Sequence, residues 1–141
     1  MTAIGAGGRV IGGWLSTLVL LLASGAGAEP TDNRPDAKAY SIADGRVDRR
    51  TYDGYRRYHA VCSHCHGPDG LGGAFAPSLV DPPLAPEAFR DATLAGRVNG
   101  RSVMRGFADD PNVANHVDAI FAYLQARADG AIGRGRPQPS D

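Results

Sequence analysis

The stretch AVCSHCHGPDG, residues 60–70, holds both cysteines of the chain and two of its four histidines. Two thiols three residues apart, with an imidazole directly behind the second, admit three chemistries. They are a redox dithiol, part of a metal site, or a point of covalent haem attachment. On a helix Cys62, Cys65 and His66 stand at i, i+3 and i+4 and share one face. The thiols can then add to the two vinyl groups along one edge of a porphyrin, and the imidazole is placed to meet the iron from one side. C-x-x-C-H is the pattern of c-type haem attachment.

The rival chemistries ask for residues that the chain lacks. A structural zinc site takes four N or S ligands, usually as two separated pairs, and there is no second cysteine pair. A thioredoxin-like dithiol wants a βαβ context, and the sequence shows no convincing strands. A Cys62–Cys65 disulfide would close too short a loop to constrain the unfolded chain much.

Residues 1–28 read as a secretory signal. Arg9 precedes an apolar run of about fourteen residues, Val10 to Ala23, which closes on small residues and AGA. The run is shorter than the ~20 residues a membrane span needs, and no cysteine ends it for a lipid anchor. Cleavage after Ala28 is expected, with no stable membrane insertion afterwards. Export to the periplasm fits the motif, because haem attachment of this kind takes place outside the cytoplasm. The mature chain would lose Trp14 and keep one methionine, Met104. Its 14 Lys and Arg would face 15 Asp and Glu, a balance that argues against nucleic acid as a partner.

The remainder is long enough for one small domain. Residues 29–47 are polar and Pro/Asp-rich and read as an extended arm, residues 48–130 as the domain, and 131–141 as an irregular Gly/Pro-rich tail. Three helices are expected, so the fold class is all-α. The first starts at Asp48 as N-cap and runs through RRTYDGYRRYHAVC, with Tyr55, Tyr58 and Cys62 on one face. The second is APEAFRDATLAGRV, with Pro86 in its first turn and Phe89, Leu94 and Val98 as core contacts. The third follows Asp109 or Asp110 as cap and Pro111 as opener. It repeats Val113, Val117, Ile120 and Leu124 and stops at Gly130. Between the first two lies GPDGLGGAFAPSLVDPPL, about eighteen residues, a length uncommon for a structureless loop. Three short helices offer few apolar residues, so a large apolar cofactor is expected to complete the core.

Haem iron in an electron-transfer protein normally takes a second axial ligand, and methionine opposite histidine raises the potential. Met104, in NGRSVMRGFADD, is the one methionine left after processing and stands in a glycine-punctuated loop, an odd place for a core filler. His116 competes, but its place on the third helix fits an ordinary helix residue. His59 reads as a helix-face residue, and His64 should point outward. Arg97 and Arg101 precede the methionine, where a guanidinium can reach a haem propionate through paired hydrogen bonds; plain surface arginines fit as well. Tyr52 and Tyr55 are weaker candidates for that contact.

Over residues 48–130 the chain resembles class I c-type cytochromes. That family places a glycine eight residues before the first haem cysteine and an aromatic four before it, here Gly54 and Tyr58. The resemblance implies that Gly54 lets the first helix cross the last closely, against Ile120 and Tyr123 in AIFAYLQ. It further implies that the carbonyl of Pro77, in APSL, holds the ring N–H of the iron-binding histidine. The common wording at the sulfur ligand is Met-Pro. Arg105 stands in the proline's place, which implies a looser loop and opens an alternative, a ligand sensor or peroxidase-like protein with a labile Met104.

More narrowly, YDGYRRYHAVCSHCHGPDGLGGAFAPSL and IFAYLQARADGAIGRGRP resemble the cytochromes of methanol and alcohol oxidation, partners of quinoprotein (PQQ) dehydrogenases. The resemblance implies one covalent haem c and an electron carrier, not an enzyme. It implies a quinoprotein methanol or alcohol dehydrogenase as donor, and another cytochrome c or a terminal oxidase as acceptor. A general periplasmic shuttle for other donors is the nearest alternative.

Overall fold

The computed structural model describes residues 38–141; the expected signal peptide and residues 29–37 of the arm lie outside the described residues. The fold is mostly helical, and α1 opens it at Arg49–Arg57. Asp48 is its N-cap, accepting from the Thr51 amide at 2.8 Å and the Thr51 hydroxyl at 2.7 Å. The helical run then widens into one π turn over Tyr58–Cys62, closed by the Ser63 N–H donating to the Tyr58 carbonyl, and ends as α2, Ser63–His66. Next come α3, Pro86–Ala95, then α4, Pro111–Ala114, and α5, Val117–Ala128.

The core forms where α1 crosses α5. Tyr58, Val113, Val117, Ile120, Tyr123 and Leu124 are buried, joined by Val80 from the long loop and Phe89 from α3. The expected repeat on the third helix therefore holds, although the helix itself breaks at Asn115–His116 into α4 and α5. Asp110 caps α4 through the Asn112 N–H and Pro111 opens it. Past α5, Gly130 takes the left-handed φ of +67° that ends the helix. Gly54 decides how near the crossing can be, since a Cβ there would lie 1.8 Å from the Ala119 carbonyl oxygen.

Four short strands depart from the all-helical expectation. β1, Ile42–Ala43, and β2, Arg46–Val47, form a hairpin inside the expected arm. The tail lies along it, with Val47 N–H donating to the Gln138 carbonyl and Ser140 N–H to the Val47 carbonyl. Arm and tail thus shield Val47, which is fully buried. The second pair, β3 at Arg97–Asn99 and β4 at Ser102–Met104, replaces the end of the second expected helix and the loop after it. Gly96, at φ +82°, terminates α3 early. Val98 consequently leaves the core and stands in solvent.

Candidate haem site

The helical run delivers Cys62, Cys65 and His66 from its last turns. Cys62 is partly buried and Cys65 exposed, and no disulfide joins them. Burial, helped by the neighbouring Cys65, pushes the Cys62 thiol up to about 11. His66 is 7% exposed, and its Nδ1 lies 2.9 Å from the Pro77 carbonyl oxygen. A carbonyl only accepts, so Nδ1 carries the proton and Nε2 is left with a free lone pair.

The eighteen-residue loop is ordered by its backbone. Gly72 N–H donates to the His66 carbonyl at 2.7 Å, and Leu79 N–H to the Gly70 carbonyl at 2.9 Å. Gly67, at φ +72°, packs against the Gly72 carbonyl so closely that a Cβ would sit 2.1 Å from its oxygen. The Tyr58 hydroxyl donates to the Gly67 carbonyl at 2.6 Å. These contacts carry the chain from the motif to Pro77 and return that carbonyl to the imidazole.

A lock missed in the sequence lies just beyond the motif. Asp69 is buried, with a left-handed φ of +61°. Its carboxylate accepts from the Tyr123 hydroxyl at 3.2 Å, the Gly135 N–H at 3.0 Å and Arg134 Nε at 3.3 Å. Burial pushes this carboxyl up, but those donors outweigh it and hold the group below its ordinary range. The tail expected to be irregular is thereby pinned to the attachment loop. His59, 3.8 Å from the same carboxylate, stacks among Tyr55, Tyr58 and Tyr123.

Met104 ends β4, half-buried, directly across from Arg97. Arg97 therefore shares its face of the ribbon, whereas Arg101 sits in the Gly100–Arg101 turn; both are exposed. The segment after Met104 is not loose despite Arg105. A Cβ on Gly106 would lie 2.5 Å from the Leu94 carbonyl oxygen, and one on Gly96 would lie 2.7 Å from Gly106 N and from the Met104 oxygen. Phe107 N–H reaches the Thr93 carbonyl at 3.0 Å, and the Arg105 guanidinium lies 4.4 Å over the Phe107 ring. Two interlocked glycines and a cation–π contact do what a proline would do through its fixed φ. Among the competing histidines, His116 Nδ1 sits 2.6 Å from Asp53 Oδ2 on α1. His64 is exposed, as expected.

These residues fit haem better than a bare metal ion. Among the described residues no three His, Cys, Asp or Glu side chains converge as a metal site. A groove of about 310 Å³, bordered by Leu79, Leu84, Phe89 and Phe121, touches neither the motif nor Met104. The helical run instead presents two thiols and one imidazole in the C-x-x-C-H pattern that covalent haem attachment uses, with a thioether, Met104, on a separate ribbon. Among the described residues no helix is long and apolar enough to cross a membrane.

Comparison with known proteins identifies the family. A family model described as cytochrome c oxidase, cbb3-type, subunit III matches residues 49–124. Cytochrome c-553I of Paracoccus denitrificans is 43% identical over 109 residues, covering 72% of this chain and 48% of that protein. The chain thus spans about half of that relative's length. Cytochrome c-555 of Methylococcus capsulatus is 30% identical over 123 residues, covering 85% of this chain and 88% of its own. The crystal structure of the c-type cytochrome XoxG from Methylobacterium extorquens AM1 superimposes with a TM-score of 0.66 at 47% identity. That match covers 72% of this chain and 67% of the other. The chain belongs to the cytochrome c family, with the class I fold and covalent haem c as its cofactor.

Proposed function

We propose that this protein is a periplasmic one-electron carrier that accepts electrons from a quinoprotein methanol or alcohol dehydrogenase and passes them to another cytochrome c or a terminal oxidase. In this reading Cys62 and Cys65 would hold the porphyrin as thioethers, and His66 Nε2 and the Met104 sulfur would bind the iron. The carrying observation is the 2.9 Å contact between His66 Nδ1 and the Pro77 carbonyl. It fixes both the tautomer and the ring orientation, and it raises the basicity of Nε2. Haem supplies the one-electron iron couple; the chain's own residues orient, shield and dock it. Arg97 shares the Met104 face and is the nearer of the two arginines to a propionate role, while Arg101 at the turn suits an external one.

The donor is supported by the wording around the motif, which resembles the cytochromes of alcohol oxidation. Rapid mixing of ferric protein with reduced quinoprotein dehydrogenase tests it directly. Reduction at catalytic rates is expected; its absence overturns the dehydrogenase and leaves the general shuttle. Ligation is tested by Met104→Ala, for which loss of the sulfur-to-iron charge-transfer band and a lower potential are expected. Unchanged spectra and potential would remove Met104 from the iron. A ferric wild-type protein already lacking that band would favour the open-site sensor.

A further inference from the structure

The β3–β4 ribbon has two faces, and only one is used by the site. Its register pairs Arg97 with Met104 and Val98 with Val103. Successive strand residues point to opposite faces, so Val98 and Val103 turn away from the side that carries Met104. Their exposures, 71% and 73%, follow from that alternation. Cross-strand β-branched pairs normally stabilise a sheet by packing under something. Here the pair is open to solvent.

The charge around that pair is one-sided. Residues 96–108, GRVNGRSVMRGFA, contain Arg97, Arg101 and Arg105 and no acidic residue, although the whole chain is balanced at 15 basic and 15 acidic residues. All three arginines are exposed, and with Arg97 on the Met104 face it is Arg101 and Arg105 that flank the valines. An apolar spot within a rim of one sign is the anatomy of a transient protein interface. A second copy of the chain would bring the same positive rims together, which opposes self-association.

We propose that the outer face of this ribbon, Val98 and Val103 flanked by Arg101 at the turn and Arg105 just past β4, docks an acidic redox protein whose contact face has an apolar centre and a carboxylate rim. The proposal rests on the reading of Met104 as an iron ligand, because a partner seated there is then one strand layer from that ligand. The arginines speed encounter, the valines exclude water at the centre, and the small area keeps the complex short-lived.

The test uses the haem-loaded protein with Val98→Glu and Val98→Lys, which remove the same apolar surface and differ in sign. Second-order rates are measured at low ionic strength with an acidic blue-copper protein, with reduced quinoprotein dehydrogenase, and with the neutral mediator ferrocenemethanol. Val98→Glu is expected to slow exchange with the blue-copper protein about tenfold and Val98→Lys far less, since rim charges act chiefly on association. Spectrum and ferrocenemethanol rate should be unchanged in both. Equal rates for both variants and wild type overturn the proposal. So does slowing confined to Phe75→Ser, which removes an exposed aromatic on the separate loop. Binding of wild-type protein to phosphatidylglycerol vesicles, abolished by Val98→Glu while protein exchange is untouched, would assign the face to lipid instead. Dimerisation abolished by Val98→Glu, with exchange again untouched, would assign it to self-association. A dehydrogenase that fails to reduce wild type, with the charge pattern intact toward the blue-copper protein, sinks the donor and keeps the surface. Rapid dehydrogenase reduction of all variants alike, with no charge pattern toward the blue-copper protein, does the reverse.

Discussion

His66 and Met104, the two proposed iron ligands, stand on segments stabilised in unlike ways. The histidine closes a helical run whose earlier turns are clamped against α5 by Gly54, Tyr58 and Ile120. Its imidazole inherits the cooperativity of the core. The methionine ends a three-residue strand on a two-stranded ribbon that has one face in solvent. What holds it is local: Gly96 against Gly106, and Phe107 and Ala108 bonded to the end of α3. An isolated hairpin is at best marginal in water. The thioether side is therefore able to open while the imidazole side stays folded, as regions with few buried contacts open at low cost.

The contrast can be broken first at its strong side. Gly54→Ala drives a methyl into the Ala119 carbonyl and forces the helices apart, at a cost of about 3 kcal/mol. Denaturant unfolding should show the midpoint falling sharply; a loss under about 1 kcal/mol would mean that the crossing is not the keystone. Gly106→Ala sharpens the other side. Its methyl meets the Leu94 carbonyl, so the sulfur–iron band should weaken while global stability falls by only about 1–2 kcal/mol. If stability collapses together with the band, the two sides are one cooperative unit.

The smallest effect is expected at the lock between tail and attachment loop. Asp69→Asn keeps the volume but loses the charge facing Arg134, at a cost of about 1 kcal/mol near neutral pH. The folded-state carboxyl lies below its ordinary range. Its stabilisation is thus complete above a pH of about 4 and lost as pH falls through the lower folded value. Asp69→Asn should flatten that acid limb of the stability profile. A wild-type and variant pair with parallel acid limbs would show that the carboxylate contributes no net charge-dependent stability.

Much of this was legible because it is local or periodic. Asp48, Asp110 with Pro111, and Gly130 all act as caps or stops where their types suggest, since capping depends on residues three or four positions away. The Val113–Leu124 repeat is buried because a helical face has a fixed period. The ribbon escaped because its strands are three residues each and mix Arg, Asn and Ser with Val and Met. Its one signal was Asn99-Gly100 between two short valine-bearing runs. In the structure the two-residue turn is Gly100–Arg101, with Gly100 at φ +58°. The Asp69 lock escaped for a different reason. It joins residues more than sixty positions apart, and nothing in a tail rich in Gly and Pro announces such a partner.

The π turn over Tyr58–Cys62 sets an angle. One surplus residue in that turn offsets everything after it by about 100° around the helix axis, the rotation of a single α-helical residue. Tyr58 and Gly54 can therefore look toward α5 while the cysteine pair and His66 look elsewhere from the same rod. Removing one position between 58 and 62 would leave a straighter, better-bonded cylinder, with the His66 ring swung out of register with the Pro77 carbonyl.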